Sequence, residues 1–203
     1  MELEPSSTAF VAVHLQHEVV GAEGAFAPLF HEQVALRNVL GVTADLLGAF
    51  RAAGVPVIYT RVAWRPDYSD LKINSPLLGM VAQMGCLKEG SPMAEIVPSV
   101  APQGEDTVVT HQRVGAFAGS HLDEALHERG ITTLVIAGVA TNVSVEGTAR
   151  WAGDLGYRVV VVEDACSAGS LEAHQASIES MSVLAEISTA AEVAHALASS
   201  QAS

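Results

Sequence analysis

Positive charge is scarce in this chain: its lysines and arginines number 10 against 23 aspartates and glutamates, a formal net charge of -13. Binding to a phosphate backbone draws its affinity mainly from Lys and Arg displacing counterions, so nucleic acid is not an expected partner. Long apolar runs are missing too. Nothing approaches the ~20 residues that a membrane-spanning helix needs. The first residues, MELEPSST, carry acids where a secretory leader carries positive charge ahead of an apolar stretch. The expectation is a cytoplasmic protein with no membrane partner. Cysteine is nearly absent: Cys86 and Cys166 make no disulfide framework and belong to no C-x-x-C or Cys/His spacing that would mark zinc. Both read as reduced, packed thiols. No repeat, low-complexity block or linker divides the chain. With 49% hydrophobic residues, residues 1–203 read as a single domain with one core.

What is present alternates. Thr8–Val13 is a short apolar run without polar alternation, which suits a strand covered on both faces. From His31 to Ala53 apolar residues recur at helical spacing, Gly54 supplies a stop, and Val55–Thr60 reads as a second strand. Between Arg61 and Gln103, prolines 66, 76, 92, 98 and 102 break any long element. That stretch is expected to be an excursion with short helical pieces, covering a pocket. A regular grammar follows: strand Thr107–Thr110, helix Ser120–Arg129, strand Thr133–Ala137, helix Asn142–Leu155, strand Arg158–Val162, helix Ser170–Leu184. Ala185–Ser188 and Ala190–Ala198 would close the fold ahead of the polar tail SSQAS. Strand–helix alternation implies right-handed crossovers and a mostly parallel sheet of about six strands in a three-layer α-β-α arrangement.

In such sheets ligands bind beyond the carboxyl ends of the strands, where the following loops gather. His14 follows the first strand, His111 follows the strand ending at Thr110, and Ser144 lies one turn into the helix after Gly138-Val139. Three groups able to exchange protons or attack thus leave one sheet edge. The turn from Gly138 to Asn142 leaves backbone amides unpaired at a helix start, and those of Ala140 and Ser144 are candidates for an oxyanion hole. Each residue also has a plainer reading: Thr141 and Asn142 as helix caps with Ser144 a first-turn serine, His14 as a packed histidine, His111 as a loop histidine. Their coincidence at the edge where sites form favours the functional reading.

The segments AFVAVHLQHEVV, VVTHQRVGAFAGSHLDEAL and GITTLVIAGVATNVSVEGTARWAGDLGYRVVVVEDAC together resemble the isochorismatase-like (cysteine hydrolase) superfamily over nearly the whole chain. The resemblance implies a six-stranded parallel sheet, assembly as a homodimer or homotetramer, and hydrolysis of amides, imides or a vinyl ether by an Asp-Lys-Cys triad. The family's Asp falls on His14, its Lys on His111 and its Cys on Ser144, so all three differ here. A thiolate mechanism depends on a low thiol pKa that a serine hydroxyl cannot copy. A hydroxyl needs an adjacent base near neutral pKa, which histidine supplies. Some family members hold zinc through an Asp and paired His after the second strand, but here that stretch reads Arg61-Val62-Ala63-Trp64-Arg65-Pro66-Asp67, so no metal and no cofactor is expected. Gln16, Trp64, Arg65, Phe117 and Val139 are the candidate substrate-binding residues, with Arg65 placed to meet a carboxylate.

The leading expectation is a cofactor-free hydrolase of a small acyl, imide or enol-ether substrate. Ser144 would be nucleophile or hydrogen-bond donor, His111 base or cation, and His14 acid/base. A non-hydrolytic isomerase or cyclase using the same histidines, and a pseudoenzyme that binds a ligand or partner, remain alternatives. A metal site of His14 and His111 with His17 or Glu18 is the least favoured.

Overall fold

The computed structural model describes residues 1–200. The last three residues of the expected polar tail lie outside them. Six strands, β1 (Thr8–Val13), β2 (Val57–Val62), β3 (Thr107–His111), β4 (Thr133–Val139), β5 (Arg158–Ser167) and β6 (Glu186–Ser188), form one sheet in the order β3-β2-β1-β4-β5-β6. Every pairing is parallel, so the sheet is wholly parallel. All residues of β1 and β4 are buried, as strands covered on both faces must be. β1 and β4 run in register from Thr8 opposite Thr133 to Val13 opposite Gly138. Gly138 has φ of 132°, and a Cβ there would collide with the Val13 carbonyl. Only glycine allows the two central strands to close up at this end.

The helices are α1 (His17–Val20), α2 (Ala27–Leu36), α3 (Val39–Ala52), α4 (Pro76–Met84), α5 (Leu122–His127), α6 (Glu146–Asp154), α7 (Leu171–Met181) and α8 (Ala190–Ser200). α3 packs with α8, and α6 with α7, giving the three layers. The single helix expected over His31–Ala53 is in fact two. Arg37 ends the first by donating to the carbonyls of Cys166 (3.0 Å) and Glu163 (2.9 Å), and Asn38 turns the chain with φ of 50°. Asn tolerates that left-handed region through local hydrogen bonding, which the apolar periodicity does not register. α3 then stops at Gly54 (φ 69°), as expected.

Two other elements differ from expectation. β5 continues to Ser167, past Val162, because the strand pair β4–β5 slips register between Ile136 and Gly138 and resumes pairing at Cys166. The helix expected from Asn142 opens instead as a π-helical turn, Thr141–Val145, before α6 begins. The 61–103 stretch is pinned to the body by the bridge between Gln16 and Ile96, and closed on itself by the bridge between Trp64 and Lys88. It contributes α4, whose cap Ser75 accepts from the Leu78 amide at 3.3 Å. Among the described residues no helix is long and apolar enough to cross a membrane.

Candidate active site

The strand order reverses between β1 and β4, so their following loops part and leave a crevice at the carboxyl edge. His14 stands at its floor, directly after β1. Its amide donates to the Thr60 carbonyl (3.0 Å) while its backbone turns into the left-handed region with φ of 53°. His111 ends β3 and reaches across the end of β2. The two Nε2 atoms lie 2.9 Å apart and the rings stack with centroids at 4.9 Å. At that separation one Nε2 must carry a hydrogen and the other must offer a lone pair, so the pair shares one proton. Burial pushes His14 well below its ordinary pKa, and His111 beside it pushes it further. Burial likewise pushes His111 down to about 4. Both are neutral imidazoles near pH 7. The Arg113 backbone opposes the shift of His111, although the buried Nδ1 of His111 meets no well-aligned hydrogen-bond partner among the described residues.

A cavity of about 70 Å³ opens above His14. His14, Ala140, Val143 and Ser144 form one side of it. Val19, Phe26 and Phe30 close it from α1 and α2, while Trp64, Leu77, Leu78, Val81 and Leu87 close it from the 61–103 stretch. Arg113 and Val114 complete the wall beyond β3. His111 is not a wall residue and lies behind His14. Ser144 is 6% exposed and has no side-chain hydrogen bond among the described residues. In the π turn that carries it, the Ala140 carbonyl accepts from the amides of Val143 and Val145, both at 3.1 Å, and passes over that of Ser144. Such widened turns recur where a helix start serves a site.

Residues 8–192 match the Isochorismatase domain. The chain belongs to the isochorismatase family. This isochorismatase-family hydrolase is 33% identical over 186 residues to the uncharacterized isochorismatase family protein YecD of Escherichia coli, covering 88% of this chain and 89% of that one. It is 34% identical over 178 residues to the ureidoacrylate amidohydrolase RutB of Rhizobium rhizogenes, covering 80% and 71% respectively. Among solved structures, a cysteine hydrolase from Pseudomonas syringae superposes with a TM-score of 0.90 at 27% identity, covering 98% of this chain and 96% of that one. An isochorismatase family protein from Burkholderia thailandensis gives 0.80 at 35% identity, covering 97% of both chains.

Within this isochorismatase-family fold, the residues expected to bind substrate divide. Trp64 is in the cavity wall; Gln16, Arg65, Phe117 and Val139 are not, while Ala140, expected as an oxyanion amide, is in the wall. Gln16 is fully buried and committed to the backbone: its Nε2 donates to the carbonyls of Val62 (2.9 Å) and Ala94 (2.7 Å), and its Oε1 accepts from the Val62 amide (2.8 Å). A buried amide so used has nothing left for a ligand. Arg65 is exposed, with its amide capped by Asp70 at 3.0 Å. Phe117 stacks on Tyr157 with centroids 6.0 Å apart, and Val139 is sealed in β4 opposite Ser167. The cation in the wall is Arg113, missed by sequence reasoning although it continues directly from His111 past the same strand end. Phe26, Phe30 and the α4 residues were missed as well, because only their packing brings them over the crevice.

A second buried imidazole lies on the other side of the π turn. His174 Nδ1 is 2.8 Å from the Thr141 hydroxyl, and its Nε2 is 3.5 Å from Glu163, which in turn is 3.7 Å from Arg37. Burial and Arg37 push its pKa down while Glu163 opposes them. No group of three or more His, Cys, Asp or Glu side chains among the described residues is arranged to hold a metal ion.

Proposed function

We propose that this chain hydrolyses the acyl C–N bond of a small amide or ureido compound, with Ser144 as nucleophile and His14 as general acid/base. The observation that carries the reading is a neutral, buried His14 sharing one small cavity with a serine hydroxyl that nothing else engages. The ureidoacrylate amidohydrolase relative supports the bond class.

His14 takes the Ser144 proton as Oγ attacks the carbonyl carbon. The carbonyl oxygen gains the negative charge, and the Ser144 amide, with that of Ala140 beside it, is suited to receive it. Collapse of the tetrahedral species expels nitrogen, protonated by His14. A water, deprotonated by His14, then splits the acyl ester and returns the proton to Ser144. His111 acts through His14: its Nε2 fixes the imidazole orientation, in the place that an acid fills in other triads.

No hydrogen bond joins Ser144 to His14 in the resting site, and this favours a second reading in which His14 activates water directly and Ser144 only orients the carbonyl. Mass spectrometry after rapid quench separates the two. An acyl adduct on the peptide containing Ser144 is expected for the first, and unmodified protein during turnover for the second. Hydrolysis itself is tested in oxygen-18 water, where the acid product must carry the label. Full turnover in both Ser144→Ala and His14→Asn would overturn either version.

A further inference from the structure

The wall of the cavity is unbalanced in its polar groups. It contains no carboxylate, and among its residues Arg113 alone carries a formal charge near pH 7, since His14 is neutral. Arg113 is half-buried, and among the described residues its guanidinium makes no ion pair and one hydrogen bond, from Nη1 to the neighbouring Gln112 carbonyl at 2.9 Å. Most of the other arginines are occupied: Arg37, Arg51, Arg61, Arg150 and Arg158 each meet a carboxylate. A chain with 23 acids and only 10 basic side chains thus leaves one guanidinium unmatched at an apolar cavity. Apart from Arg113, His14 and Ser144, the side chains around this space are aliphatic and aromatic. A neutral ligand would leave the guanidinium without a counter-charge in partly desolvated surroundings, whereas a carboxylate meets it in a charge-assisted pair.

We infer that Arg113 selects substrates bearing a carboxylate, holding that group while the bond to be broken is presented to Ser144 and His14. The substrate class is then a small monoanion with a short apolar body. This rests on the catalytic reading only for which end of the ligand reacts; the anion preference itself is a property of binding.

Butyrate and its neutral isostere butyramide test it by calorimetric titration at neutral pH. The wild-type protein is expected to bind butyrate about tenfold more tightly than butyramide, the size of one charge-assisted hydrogen bond. Arg113→Gln should abolish that preference while leaving butyramide affinity unchanged, which also shows that the variant is folded. Arg113→Lys should retain part of it. Equal affinity of the wild-type protein for the two probes, no binding of butyrate, or an undiminished preference in Arg113→Gln would each overturn the inference. Ser144→Ala keeps the two proposals apart: it should bind butyrate normally, and if it also retains turnover the catalytic reading fails while anion selection stands.

Discussion

Two buried histidine clusters flank the end of β4, and they differ in their partners. His174 is held by a threonine hydroxyl on one ring nitrogen and lies near Glu163 and Arg37 on the other, so its environment is electrostatically closed. His14 and His111 meet each other at Nε2, with no ion-paired carboxylate among the described residues, and His14 faces open space. Both clusters have lowered pKa values and both are desolvated. Burial and a shifted pKa therefore do not by themselves single out the chemistry, and neither does an unpartnered ring nitrogen, which His174 shares at Nε2; access to a cavity does.

The largest expected contrast is in turnover. His14→Asn keeps a residue type that tolerates φ near 53° and should lower kcat/KM by about 10²- to 10⁴-fold, the usual worth of a general acid/base. His174→Gln should lower it less than about tenfold; the reverse order, read in steady-state kinetics, breaks the comparison. Stability should separate the clusters in the opposite sense. His174→Ala strands the buried Thr141 hydroxyl and should cost about 1–3 kcal/mol in urea unfolding.

The third contrast is with pH. Unfolded histidines take up protons near 6.5, whereas folded His111 does so only near 4 and folded His14 also well below the ordinary value. Between those limits the unfolded chain binds more protons, so stability falls as pH drops from about 6.5 and levels off below the folded values. Each histidine contributes up to about 1.4 kcal/mol per pH unit in that window. His111→Asn should flatten the slope of urea-unfolding free energy against pH; an unchanged slope would mean that the pair is not desolvated. The smallest effect belongs to Glu163→Gln, which is partly exposed and should change stability by less than about 1 kcal/mol and leave turnover essentially unchanged.

The sheet was legible in the sequence because its strands are unbroken apolar runs separated by helical spacing, and the edge bearing His14, His111 and Ser144 followed from chain direction alone. The break at Arg37 and Asn38 was not legible, since it depends on carbonyls of β5 far along the chain. Gln16 and Arg65 illustrate the limit at the cavity. A polar residue near a strand end can serve the backbone or the solvent as easily as a ligand, and only the satisfied amide of Gln16 and the exposed placement of Arg65 decide it. Arg113 and Phe26 entered the wall through loop packing, which periodicity does not encode.

The contact between the two Nε2 atoms makes His14 and His111 chemically equivalent at the point where they touch. When the hydrogen belongs to His14, its outer nitrogen is a lone pair; when it passes to His111, a hydrogen must reside on the outer nitrogen of His14 instead. The two neutral arrangements of the pair are related by a proton crossing the Nε2 contact together with one taken up at the outer nitrogen of His14 and one released from Nδ1 of His111, and they present opposite faces, acceptor or donor, at the outer edge of His14 without differing in net charge. A site wired in this way suits a cycle in which the same imidazole must first remove a proton and then restore one.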